Sequence, residues 1–159
     1  MEIWQAIVIA IVEGFTEFLP ISSTGHMVIV NHLFGIGEDP FVKTYSVAIQ
    51  FGAILAAVLL FKNRFLKDRA IYGKLLVAFI PAGAIGFLLK KKIEVLLGSV
   101  EVVAIATLVG GVIILLVEKF YQPKTSKTIE NLTPADCIKI GFLQCLALVP
   151  GTSRSAATI

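Results

Sequence analysis

Three stretches of this sequence, Phe41 to Phe61, Ile71 to Leu89 and Val100 to Phe120, run apolar for the ~20 residues that a helix needs to cross a ~30 Å hydrocarbon core. A chain with three such segments must place them in lipid as helices, because only a helix satisfies its own backbone there. Composition agrees: the chain is 57% hydrophobic and 16% charged, too greasy for a soluble domain or a disordered one. A net charge of +3, from 14 Lys and Arg against 11 Asp and Glu, forms no concentrated basic face, which argues against a nucleic-acid partner. The two cysteines, Cys137 and Cys145, lie eight apart on what reads as one helix. That separation is roughly 12 Å, beyond the ~7 Å limit for a bridge, so both are expected as buried thiols. Met1-Glu2-Ile3-Trp4 lacks the basic start of a signal peptide, and the first helix is expected to be retained.

Two further apolar segments break before they could span. Glu2 to Phe18 meets Pro20 and then Ser22-Ser23-Thr24-Gly25-His26, and the return arm from Ser23 to Leu33 would be only about 16 Å long. Thr133-Pro134-Ala135-Asp136 reads as a helix start, with a threonine cap and proline at the first position. The arm it opens, Pro134 to Leu148, is roughly 22 Å long and stops at Pro150-Gly151-Thr152-Ser153-Arg154-Ser155. Both segments read as re-entrant hairpins. Their breaks, Pro20-Ile21-Ser22-Ser23 and Pro150-Gly151-Thr152-Ser153, share a proline and two hydroxyl residues at one spacing. Three intervening spans would put the second hairpin on the opposite face, with the two broken tips meeting near the midplane as in inverted-repeat membrane proteins. The expected fold is therefore an all-α polytopic membrane protein with three full spans and two re-entrant hairpins. Residues 1–120 would form the first repeat and 134–159 the incomplete second within one membrane domain, and the chain is expected to be a fragment. The loops around 62–69 and 119–127 are basic and count as cytoplasmic, the lysines 90–92 being the misfit, and the acidic Gly35-Ile36-Gly37-Glu38-Asp39 suits the outer side.

Ionisable residues inside these apolar segments are costly and point to function. Glu13 and Glu17, four apart, share one face of the first helix, and their hard oxygens suit metal ligation to Mg²⁺ or Ca²⁺, or proton transfer. The plain alternative is a wet helix end or a protonated, hydrogen-bonded acid. Arg154 lies in a glycine and hydroxyl cluster at the start of a following helix, where its planar fork, with Gly151, Thr152, Ser153 and Ser155, would suit phosphate. A snorkelling arginine is its plain reading. His26 follows Ser23 by three residues, close enough to bond its hydroxyl or share a reacting phosphate. Gln50, Gln144 and His32 are read as structural.

The runs Glu13-Gly14-Phe15-Thr16-Glu17-Phe18-Leu19-Pro20-Ile21-Ser22-Ser23-Thr24-Gly25-His26 and Pro150-Gly151-Thr152-Ser153-Arg154-Ser155-Ala156-Ala157-Thr158-Ile159 resemble the two signature motifs of the bacterial undecaprenyl-diphosphate phosphatases, the bacitracin-resistance family. Ala156 stands where that family commonly has glycine. The resemblance places the family's acidic motif on Glu13 and Glu17, its hydroxyl and histidine positions on Ser22, Ser23 and His26, and its phosphate-binding motif on Ser153, Arg154 and Thr158. It implies hydrolysis of a C55 polyprenyl diphosphate to the monophosphate carrier lipid of cell-wall synthesis, bacitracin resistance when abundant, and a site open to the outer face of the bacterial plasma membrane. The expected partners are that lipid and the membrane lipids, and a homodimer is allowed. A 159-residue piece is expected to be poorly active by itself.

The expected mechanism has a metal on Glu13 and Glu17 bridging the diphosphate, while Arg154 and the Gly151 to Ser153 backbone stabilise the developing charge. Ser23 with His26 as base, His26 itself, or a metal-bound water all satisfy the spacing. The rival reading is a lipid transporter or flippase with the same anion pocket. An acid phosphatase of another family would require a basic motif ahead of Ser-Thr-Gly-His that is absent here.

Overall fold

The computed structural model describes residues 1–63, 70–121 and 128–158. All its regular elements are helical: α1 (Ile3–Thr16), α2 (Ser23–Leu33), α3 (Pro40–Leu60), α4 (Ala70–Leu97), α5 (Val100–Phe120) and α6 (Pro134–Gln144), with short 3-10 turns at Ile129–Asn131, Cys145–Leu148 and Ala156–Thr158. Local chemistry sets most of these boundaries. Asp39 caps α3 ahead of Pro40, and Ser99 caps α5. Thr133 and Asp136 close a capping box at the start of α6, with the Asp136 carboxylate 3.0 Å from the Thr133 amide nitrogen. Leu148 ends the arm that Pro134 begins, as the sequence suggested, the last turn being tightened to 3-10 geometry.

Three helices, Pro40–Leu60, Ile71–Leu97 and Val100–Phe120, are long and apolar enough to cross a membrane. Their buried residues are Val42, Ile71 and Val103, while side chains such as Phe87 and Leu60 are exposed. A set of polar residues lies inside instead: Gln5, Glu13, Thr16, Ser22, Ser23, Asn31 and Ser153 are all buried. An apolar exterior over a polar interior suits a hydrocarbon solvent and would be unstable in water.

The second of these helices differs from expectation. It does not stop near Leu89 but continues through the lysines 90–92 to Leu97, with Lys90 facing Glu94 at 3.8 Å. Lysine is a good helix former, and nothing breaks the backbone before Gly98. At 28 residues α4 is about 42 Å long, so it exceeds the hydrocarbon thickness. The expected helix from Ser153 onward is only the 3-10 turn Ala156–Thr158, and Ile159 lies outside the described residues. Residues 64–69 and 122–127, which hold most of the basic loop charge used for orientation, also lie outside them.

Polar ties join the helices. Tyr45 Oη of α3 donates to the Ala6 carbonyl of α1 at 2.9 Å, and Gln50 Nε2 donates to Thr24 Oγ1 at 2.9 Å, the helix-joining role expected of that glutamine. Lys74 Nζ donates to the Ile129 and Glu130 carbonyls, fixing the turn before α6. The broadest packing is that of α6 on α4. It centres on Gly141, where an added Cβ would lie 2.3 Å from the Ala78 carbonyl oxygen and 2.8 Å from the Pro81 ring. Both free thiols belong to this arm, Cys137 buried and Cys145 half-buried.

Gly141→Ala should therefore push α6 off α4 and cost about 1–3 kcal/mol. Gly110→Ala, at a position with nothing within 4 Å, should be neutral or stabilising. Thermal unfolding of both variants in one detergent checks this; equal midpoints would show that the α4 and α6 contact is not close-packed.

Candidate active site

The site forms where α1 ends. Glu13 and Glu17 occupy successive turns on one face, and α1 gives way to an irregular turn ahead of Pro20, a residue that disfavours helix before it. Glu13 is 1% exposed, and neither of its carboxylate oxygens accepts a hydrogen bond. Glu17 is bound from two sides. Its Oε2 accepts a short hydrogen bond from Ser23 Oγ, and its Oε1 lies 3.2 Å from Arg154 Nη2. One carboxylate thus joins the end of α1, the start of α2 and a segment 137 residues away.

Ser22 makes the turn into α2 at φ 64°, a left-handed conformation uncommon for a residue with a side chain. Two local bonds hold it there: Ser22 Oγ accepts from the Gly25 amide at 3.3 Å, and the Ser22 carbonyl lies 2.8 Å from His26 Nδ1. A carbonyl only accepts, so Nδ1 is the donor in this contact. His26 is thereby tied to the Ser22 backbone, whereas the Ser23 hydroxyl turns to Glu17; the hydrogen bond between Ser23 and His26 that the spacing allowed is not formed.

The second broken segment reaches this turn across α5. Gly151 has φ 94°, and a Cβ on it would lie 2.3 Å from the Val103 carbonyl oxygen and 3.0 Å from Thr107 Oγ1. A Cβ on Gly25 would lie 2.3 Å from the same Thr107 oxygen and 3.4 Å from the Gly151 Cα. Thr107, whose hydroxyl reaches the Val103 carbonyl at 2.8 Å and the Gly151 carbonyl at 3.1 Å, is the post on which both tips rest. Sequence reading missed this residue. Its one signal is a hydroxyl in an otherwise apolar span.

Glu17, Leu19, Ser22, Ser23, Thr24, Thr152, Ser153, Arg154 and Ser155 line a cleft of about 230 Å³ between the tips. Seven of the residues singled out in the sequence therefore converge: Glu17, Ser22, Ser23, Thr152, Ser153, Arg154 and Ser155. Gly151 lies behind them against α5, and Glu13 one turn below Glu17. Thr158 does not line the cleft; its hydroxyl bonds the Ser155 carbonyl at 3.1 Å and closes the last turn. The Arg154 backbone is fixed by Gln144 Nε2, 3.0 Å from its carbonyl, while its guanidinium remains largely exposed at the mouth. A serine hydroxyl bonded to a carboxylate, beside a guanidinium and several further hydroxyls, has the chemistry to hold an anion and to offer a nucleophile to it. Among the described residues no group of three or more His, Cys, Asp or Glu comes together. The Glu13 and Glu17 pair, with two buried oxygens on Glu13 that accept no hydrogen bond, nevertheless offers the donor chemistry that suits a hard cation.

The chain matches the model of the family described as Bacitracin resistance protein BacA over residues 6–159. Among curated proteins it is similar to the undecaprenyl-diphosphatases of Flavobacterium johnsoniae, 47% identical over 100% of this chain and 60% of that protein, and of Flavobacterium psychrophilum, 50% identical over 98% and 58%. It is likewise 47% identical to that of Bdellovibrio bacteriovorus, over 100% of this chain and 61% of the relative. The chain thus spans about three-fifths of the length of these relatives.

Thr107→Val keeps the shape of the post but leaves the Gly151 carbonyl without its partner, and is expected to cost about 1–3 kcal/mol. Thr107→Ser should lose much less. Unfolding of both variants in detergent tests the post; equal losses would mean that its methyl group, not its hydroxyl, matters.

Proposed function

This chain belongs to the bacitracin resistance protein family, and we propose that it carries the phosphate-binding cleft of an enzyme that hydrolyses undecaprenyl diphosphate to the monophosphate carrier lipid of cell-wall synthesis. The observation that carries this reading is the double engagement of Glu17, which activates a serine and positions an arginine at one hydroxyl-lined mouth.

The terminal phosphate enters beside Arg154, whose fork neutralises two of its oxygens, and the hydroxyls of Ser22, Thr152 and Ser153 bond the rest. Ser23 Oγ then attacks the terminal phosphorus and passes its proton to Glu17. The bond from that phosphorus to the bridging oxygen breaks, and the polyprenyl phosphate departs with the proton. Water next attacks the phosphoserine, Glu17 relays one of its protons to the Ser23 oxygen, and inorganic phosphate leaves. His26 holds the strained Ser22 turn that aims Ser23. Mg²⁺ or Ca²⁺ on Glu13 and Glu17 would neutralise charge on the diphosphate.

We place the chain in the bacterial plasma membrane with its cleft facing the outer side, as the loop charges favour. In this reading α1 with α2, and α6 with the segment after it, are re-entrant hairpins of an inverted repeat. Support comes from their lengths of 14, 11 and 11 residues, each too short to cross the hydrocarbon core.

Phosphate release from polyprenyl diphosphate in detergent, by a chain of the relatives' full length, tests the proposal. Arg154→Ala should lower turnover about 10²–10³-fold, and Arg154→Lys should keep weak binding with poor turnover, because one ammonium cannot hold the phosphoryl group in line. Near-wild-type turnover in Arg154→Lys would contradict the role of the fork. Excess EDTA should abolish activity and added Mg²⁺ or Ca²⁺ restore it, whereas undiminished turnover in EDTA removes the metal from the scheme. Tight diphosphate binding with no phosphate release would favour lipid translocation.

A further inference from the structure

A second cleft, of about 190 Å³, opens beside the anion cleft and shares Thr24, Thr152 and Arg154 with it. The rest of its lining is largely apolar and includes Ile93 and Leu97 of α4 and Leu148 of the turn after α6. Ile93 and Leu97 are four apart on one helix face, in the part of α4 that runs on past the lysines. Leu148 is braced from behind: a Cβ on Gly86 of α4 would lie 3.3 Å from its Cδ2. A ligand bound in both clefts would therefore be anionic up to Arg154 and apolar immediately beyond it.

Resting on the function proposed above, we infer that this cleft receives the first isoprene units of the substrate's polyprenyl chain, next to the diphosphate. Its volume is below the ~300–1,000 Å³ of a site that encloses a whole small ligand, so it takes only the start of the chain and leaves the remainder to the bilayer. The occupant is an apolar group joined directly to a phosphate, because the shared wall of Thr24, Thr152 and Arg154 leaves no polar spacer between the two clefts. A glycerol-linked phospholipid carries such a spacer and fits less well. Ile93, Leu97 and Leu148 are accordingly the residues that select a prenyl diphosphate over inorganic pyrophosphate.

The test compares the binding of inorganic pyrophosphate and farnesyl diphosphate to the purified chain in detergent with Mg²⁺ present. Wild-type protein should bind farnesyl diphosphate at least about tenfold more tightly, since several buried methylene equivalents contribute. Leu97→Trp, which fills the cleft from a partly exposed position, should remove most of that advantage and leave pyrophosphate affinity within about twofold. Leu148→Trp should do the same if it folds. Leu108→Trp, on an exposed face of α5, should keep the full advantage and so controls for partition of the prenyl chain into the micelle. A farnesyl advantage that survives Leu97→Trp, in protein with an unchanged unfolding midpoint, would overturn the inference and leave the anion cleft standing. No binding of either ligand by the wild-type chain would overturn both.

Discussion

Glu17 is the point on which the site depends, because its carboxylate sits where an unpaired charge would cost several kcal/mol. The chain satisfies it from two directions, with Ser23 from the next helix and Arg154 from a segment 137 residues later. Arg154 is largely exposed, so as a stabilising ion pair the contact is worth little, about 1 kcal/mol or less. Its value is positional. With the guanidinium on one oxygen and the serine on the other, the carboxylate fixes the spacing between the Ser23 hydroxyl and the charge to which the proposed function assigns the phosphate.

Sterics set the same spacing from behind. The two tips can approach only because Gly25 and Gly151 present backbone to Thr107, and a methyl group on either would overlap an oxygen atom at 2.3 Å. The Thr107 hydroxyl then reaches the Gly151 carbonyl, which in a water-poor interior has few other partners. Glu17 in front and Thr107 behind hold two segments that share no regular hydrogen-bonded element. A polar interior inside an apolar exterior is the general form of this arrangement, and it explains why Ser22, Ser23 and Ser153 are buried while most of the large apolar side chains face outward.

Much of this was legible in the sequence, for reasons that differ by residue. The three long helices and the breaks at Pro20 and Pro150 follow from apolar run length and proline chemistry, which are local properties. The Thr133 capping box and the stop at Leu148 are local as well. The extension of α4 through the lysines was not foreseen, because counting charge locates a membrane boundary whereas a helix ends only where its backbone does. Long-range contacts were legible as composition but not as geometry. Glu13, Glu17 and Arg154 stood out as costly residues and Ser23 by its spacing to His26, yet nothing in that spacing showed that Ser23 would choose Glu17 over His26, a choice made by the left-handed turn at Ser22. Thr107 was invisible because a single threonine in an apolar helix commonly bonds its own backbone, and its second bond depends on a glycine 44 residues away.

The central claim is that the two broken segments meet, and proximity can be measured without any assay of function. Ser155 Oγ lies 3.5 Å from the Leu19 carbonyl across the junction. With Cys137 and Cys145 replaced by alanine, the pair Leu19→Cys and Ser155→Cys should be joined in the membrane by a short bifunctional thiol reagent spanning about one disulfide length more than a direct bridge. A pair between Leu19→Cys and Leu108→Cys, the latter on an exposed face of α5, should not be joined. Efficient linkage of the first pair alone is the expected result. Equal linkage of both pairs, or none of the first while each single thiol still reacts, would contradict a shared site between the tips.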